Sequence, residues 1–202
     1  MADQRCPLLV YGTAGRVPWL YRAMQLAPMP LRLETERLVL TPEDMHDADW
    51  LSELFNTRGT QRFTVDQVRE RIAAMHVMTA DLGIGVLVLR TRNGEPLGYC
   101  GLVLGRGTLQ EPELAYELLP EARGQGYATE AARAVLDAAF ATGRERIWAT
   151  VRAWNRPSFR VLEKLDFRRD RASSDAEGEL IWMVRGHVSP DVPAETPSSR
   201  HP

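Results

Sequence analysis

Cysteine is nearly absent: Cys6 and Cys100 are the only two in 202 residues. They are too few and too far apart for a disulfide framework or a metal site, so a reducing cytoplasm is the expected compartment. His46, His76 and His187 are scattered without ligand-like spacing, and no metal is expected. A net charge of −2 lacks the basic excess that phosphate-backbone binding requires, which argues against nucleic acid as the main partner. No apolar run approaches the roughly 20 residues of a membrane span. Residues 1–30 also lack the charged start, continuous apolar stretch and small-residue cleavage site of a signal peptide.

What is present describes one soluble domain with room for a core, 44% hydrophobic and 26% charged. Residues 1–30 read as an N-terminal extension whose order is left open, residues 31–187 as the domain, and residues 188–202, with four prolines, as a disordered tail. Leu31–Leu40 alternates as a half-buried strand. Thr41 and Asp44, with Pro42 between them, spell a capping box for a helix to about Phe55, and Thr64 with Gln67 spells a second. Asn93-Gly94 between two apolar runs is a hairpin signal. Strands are expected over Ile84–Thr91, Pro96–Leu104, Glu113–Leu119, Arg146–Val151, Phe167–Arg171 and Glu179–Arg185. Helices follow the fourth and fifth strands, which makes the class α+β with a mixed sheet.

The most informative stretch is Glu113–Ala131, ELAYELLPEARGQGYATEA. An alternating run enters a turn containing Gly124 and Gly126, which opens directly into an alanine-rich helix. Small residues let several N–H groups point into one concavity at the positive end of the helix dipole, a site for phosphate oxygens.

Arg123, Gly126 and Ala128 spell R-x-x-G-x-A, and the segment resembles the pyrophosphate motif of the GNAT superfamily of acetyl-CoA-dependent N-acetyltransferases. Tyr116, Leu118, Pro120 and the run Gly124 to Ala131 are similar in particular to its RimJ/RimL branch, as is ETERLVL near the start. Ala115 departs from the glycine usual there. The resemblance implies a central mixed, mostly antiparallel sheet of six to seven strands with about four helices. It also implies a V-shaped splay between the fourth and fifth strands. Leu118 and Leu119 would offer main-chain hydrogen bonds to the pantetheine arm, and Arg123, Gly124, Gln125, Gly126, Tyr127, Ala128 and Thr129 would hold the phosphates of acetyl-CoA.

Asn155 and Ser158 open a later helix. Local chemistry makes them an N-cap and a first-turn serine; the resemblance makes Asn155 a pantetheine ligand and Ser158 a hydroxyl near the acetyl-CoA sulfur. Asp166 stands where the family usually has a glycine, in the left-handed C-cap position. The implied reaction is direct attack of a primary amine, on a protein N-terminus or a small molecule, in a ternary complex. Glu117, Glu113 and Tyr116 are candidate bases, and Glu117 is preferred; a solvated strand carboxylate is the alternative for each glutamate. Trp50, Phe55 and Phe63 would be core or acceptor contacts, and Arg156 and Arg160 are candidates for the CoA phosphates. A non-catalytic acyl-CoA-binding module and a homodimer both stay open.

Overall fold

Strand alternation, glycine turns and side-chain caps together set the element order. The computed structural model describes residues 26–59 and 62–187; the expected tail, and the N-terminal extension as far as residue 25, lie outside the described residues. The strands are β1 (Leu33–Glu34), β2 (Leu38–Pro42), β3 (Val86–Thr91), β4 (Pro96–Val103), β5 (Glu113–Leu118), β6 (Arg146–Arg152), β7 (Arg168–Asp175) and β8 (Gly178–Gly186). The helices are α1 (Ala48–Asn56), α2 (Val65–Leu82), α3 (Tyr127–Ala141) and α4 (Arg156–Glu163). All eight strands join one sheet in the order β1-β2-β3-β4-β5-β6-β8-β7, antiparallel except where β5 meets β6. This is the α+β, mixed-sheet architecture expected.

The strand count exceeds the expected six to seven because Leu31–Leu40 is a tight hairpin. The Thr35 N–H donates to the Leu38 carbonyl at 3.0 Å, and the Thr35 hydroxyl takes the Leu38 N–H at the same distance. The chain therefore folds back at Glu36-Arg37 and pairs Leu33 with Leu40. The expected cap at Thr41 is also displaced. Thr41 and Pro42 finish β2, and the box is formed one turn later by Asp44 and Asp47, which open a 3-10 turn leading into α1. Threonine and aspartate can both cap, and pairing of Thr41 with Val88 in the sheet leaves the role to Asp44. The Thr64–Gln67 box starts α2 and the Asn93-Gly94 turn joins β3 to β4, both as expected. Asp166 takes the left-handed conformation after α4, with φ 60°.

Successive strand residues point to opposite faces. Tyr99 packs on the cluster of Ala48, Leu51, Phe55, Val68 and Ile72 from α1 and α2, whereas its neighbour Cys100 is buried with Ala131, Val135 and Leu136 of α3. The two helical layers therefore cover opposite faces. Met29, assigned from sequence to the extension, is buried in the α3-side core, and its N–H donates to the Gly83 carbonyl at 2.8 Å. The outermost strand at one edge is β7, exposed at every residue; at the other edge β1 is two residues long. No described helix is long and apolar enough to cross a membrane.

Candidate active site

The parallel neighbours β5 and β6 share a single register pair, Glu113 with Trp148. The Trp148 N–H donates to the Pro112 carbonyl at 2.9 Å, so even-numbered residues of β5 turn their peptide groups towards β6. Odd-numbered Leu119 turns the other way, donating to Leu97 at 2.9 Å. Beyond the single pair, the N–H groups of Tyr116 and Leu118 consequently face a widening gap. Of the two residues expected to line the gap with main-chain donors, Leu118 does so and Leu119 is committed to β4.

At the apex of the gap stands Glu113. It is buried, and its Oε1 accepts the Thr150 N–H at 3.1 Å as well as the Thr150 hydroxyl, while Oε2 accepts the Arg106 N–H at 3.0 Å. A side chain thus takes the β6 donor that a continuing ladder would have used. Both carboxylate oxygens are thus engaged by the fold, and Glu113 is a structural wedge.

One end of the gap leads into the glycine turn. Gly124 and Gly126 have φ of 78° and 86°, left-handed values that glycine adopts without a Cβ penalty, and Gly126 is the N-cap of α3. No side chain caps this helix. The first intrahelical bond is Glu130 N–H to Gly126 at 3.0 Å, so the N–H groups from Gly124 to Thr129 have no acceptor among the described residues. Gly124, Gln125, Gly126, Tyr127, Ala128 and Thr129 therefore present donors at the positive end of a 15-residue helix, the arrangement that binds phosphate. Arg123 also ties the turn to the end of β5, its Nε donating to the Leu118 carbonyl at 3.0 Å.

This combination of a splayed parallel pair and an uncapped helix terminus coincides with a family match: the acetyltransferase (GNAT) domain matches residues 37–168. The chain belongs to the GNAT acetyltransferase family. The p20 protein of Bacillus licheniformis, an uncharacterized N-acetyltransferase, is 28% identical over 163 residues, covering 74% of this chain and 90% of p20. A Bordetella pertussis structure assigned to the GnaT family superposes with a TM-score of 0.67 at 28% identity, over 77% of this chain and 99% of its own. RimJ of Mycobacterium smegmatis, solved with a CoA-disulfide, shares the fold with a TM-score of 0.64 at 22% identity, over 74% of this chain and 81% of RimJ.

Within this GNAT domain α4, which follows the parallel strand β6, begins at the same open end of the gap. Asn155 is its N-cap, with Oδ1 accepting the Ser158 N–H at 3.2 Å, and this leaves its Nδ2 without a partner among the described residues. Ser158 sits in the first turn, half-buried, and its carbonyl accepts the Tyr116 hydroxyl at 3.3 Å. Burial pushes the Tyr116 hydroxyl up to about 12, against the opposing influence of the Ser158 contact. Tyr116 is therefore a neutral tether between β5 and α4 and a poor base.

Glu117 lies on the opposite face of β5, as strand alternation requires. Its Oε2 accepts Arg58 Nε at 2.9 Å, forms a close ion pair with the Arg58 terminal nitrogen, and lies 3.3 Å from the Tyr99 hydroxyl. Oε1 has no partner among the described residues. Arg58 also lies 5.1 Å from the ring of Phe55, which meets Phe63 edge-on at 5.8 Å. Phe55 and Phe63 thus support the Arg58–Glu117 pair, while Trp50 is held by its Nε1–H donating to Asp47 at 2.9 Å. Arg156 and Arg160 line a separate depression with Glu163, Arg169 and Glu179, whereas the glycine turn borders one lined by Thr35, Arg37, Glu130 and Lys164. Sequence reasoning missed Arg58 and Arg37, since each acts through a carboxylate far along the chain.

Proposed function

We propose that the protein moves an acetyl group from acetyl-CoA to a primary amine by direct attack in a ternary complex. The observation that carries this is the row of N–H groups from Gly124 to Thr129, without acceptors among the described residues, at the mouth of the β5–β6 gap. These donors suit the CoA phosphates, and the Tyr116 and Leu118 N–H groups in the gap suit the amide-rich pantetheine arm. Asn155 Nδ2, at the start of α4, suits a further hydrogen bond to the same arm.

The amine nitrogen forms a bond to the thioester carbon, the carbon–sulfur bond breaks, and the sulfur leaves as a thiolate that is then protonated. Donors in the gap oppose the charge that develops on the carbonyl oxygen. Ser158 Oγ supplies a hydrogen bond to the departing sulfur. Glu117 Oε1, which has no partner among the described residues, accepts the amine's proton through water, while Arg58 holds the other oxygen in place. The acceptor is a protein N-terminal α-amine or a small primary amine. Buried Cys100 remains a free thiol, and with acetyl-CoA as donor this suits a reducing cytoplasm.

Thiol release from acetyl-CoA across peptides with free N-termini and small amines tests the reading. Turnover on one acceptor class is expected, with Ser158→Ala lowering kcat by roughly ten- to a hundredfold, the worth of one hydrogen bond to a charged group. CoA binding without turnover on any amine would instead identify a non-catalytic acyl-CoA-binding module.

A further inference from the structure

Arg37 occupies the hairpin turn between β1 and β2 and reaches across to the start of α3. Its Nε donates to Glu130 Oε2 at 2.7 Å and a terminal nitrogen pairs with the same oxygen at 2.6 Å. Its other terminal nitrogen donates to the Gln125 carbonyl at 3.1 Å, and the guanidinium lies 4.6 Å from the Tyr127 ring centroid. The Arg37 N–H and the Thr35 hydroxyl occupy Glu130 Oε1 at 2.9 and 2.5 Å. Six contacts thus join one hairpin turn to the phosphate turn and its helix.

Two physical consequences follow. Glu130 is the fourth residue of α3, and a carboxylate there is attracted to the helix's positive end, where it competes with an anionic ligand. Burial raises the affinity of the Glu130 carboxyl for a proton, but the Thr35 hydroxyl, the Arg37 N–H and the guanidinium outweigh it and hold the group below its ordinary value. The carboxylate is therefore a neutralised anion drawn towards β1–β2. The second consequence concerns the peptide plane between Gln125 and Gly126. In a trans peptide the carbonyl and the following N–H point in opposite directions. Drawing the Gln125 carbonyl to Arg37 turns the Gly126 N–H away from Arg37. A Cβ at Gly126 would stand 3.4 Å from the guanidinium, so the two groups are already in close packing.

We propose that Arg37 is a positioning residue for CoA binding, neutralising Glu130 and orienting the Gln125–Gly126 peptide so that the turn presents its N–H groups to phosphate. This role rests on the reading of the turn as the CoA phosphate site. Arg37 acts through Glu130 and the peptide, and it need not touch the ligand.

Calorimetric titration of CoA into the full chain tests it, using the wild type, Arg37→Ala, Arg37→Lys, Glu130→Gln and the double variant of Arg37→Ala with Glu130→Gln. Arg37→Ala is expected to weaken CoA binding about tenfold, the effect of one uncompensated charge at a helix terminus. Glu130→Gln alone should bind CoA at least as tightly as wild type. The double variant should recover most of the affinity lost in Arg37→Ala, and Arg37→Lys should fall between wild type and Arg37→Ala. In turnover assays Arg37→Ala should raise KM for acetyl-CoA and leave kcat unchanged. Equal affinity in wild type and Arg37→Ala overturns the proposal while the acetyl-CoA reading stands. A double variant as weak as Arg37→Ala also overturns it, by showing that the guanidinium contacts the phosphate itself. A wild-type chain that does not bind CoA removes the reading of the turn, and this role with it.

Discussion

Replacing Glu113 with alanine is expected to destabilise the protein by about 3–5 kcal/mol, because it would strand three donors inside the sheet at about 1–3 kcal/mol for each one left unsatisfied. Those donors are the Thr150 N–H, the Thr150 hydroxyl and the Arg106 N–H. Glutamine should cost less, on the order of 1–2 kcal/mol. Its carbonyl can still serve Thr150, but its NH2 would face the Arg106 N–H, donor against donor. Urea denaturation of the three proteins measures the difference. A loss below about 1 kcal/mol for alanine would show that water replaces the carboxylate at the apex, since satisfied donors carry little penalty.

The second large effect runs in the other direction. Glu43, at the end of the β2 connection, is buried, and desolvation pushes its carboxyl up to about 7, opposed by Arg71 and assisted by the negative charge of Asp47. Its ordinary value is 4.5. The folded state therefore favours the protonated form, and the stability this contributes is complete below about 4.5 and is lost as pH rises through 7. Glu43→Gln keeps the shape and carries no charge. It should be more stable than wild type by about 3 kcal/mol at pH 8 and differ by no more than about 1 kcal/mol at pH 5. Denaturant midpoints at the two pH values test this. An equal gap at both would show that ionisation of Glu43 is not the cause. The group sits among Arg71, Asp47 and His76, with His76 Nε2 2.6 Å from the Glu43 carbonyl oxygen. Asp47 is itself paired with Arg90 at 2.6 Å.

Features encoded within a few residues were legible in the sequence. The Thr64–Gln67 box, the Asn93-Gly94 turn, the left-handed Asp166 and the glycine turn before α3 each depend on neighbours along the chain. The Thr41 box failed because pairing with β3 claimed that residue, a competition that local pattern cannot weigh. The same limit hid most of the site's supporting contacts. Glu113 and Glu117 share one strand face and one residue type, yet one wedges two strands apart and the other is held by Arg58, which is 59 positions away. Arg37 and Glu130 are separated by 93 positions. The donors of the glycine turn were legible in the sequence, whereas the side chains that hold that turn became visible only once the sheet brought distant segments together.

The exposed strand β7 carries Arg168, Arg169, Asp170 and Arg171 on its outer margin, and the opposite margin ends in the two residues of β1. An unpaired strand edge is a template on which another chain can hydrogen-bond, and clustered charge or extreme shortness denies it that use. Both ends of this sheet are protected in these ways. The protein should therefore resist edge-to-edge aggregation even when crowded, and any self-association it makes should proceed through side chains and helices instead of by extending the sheet.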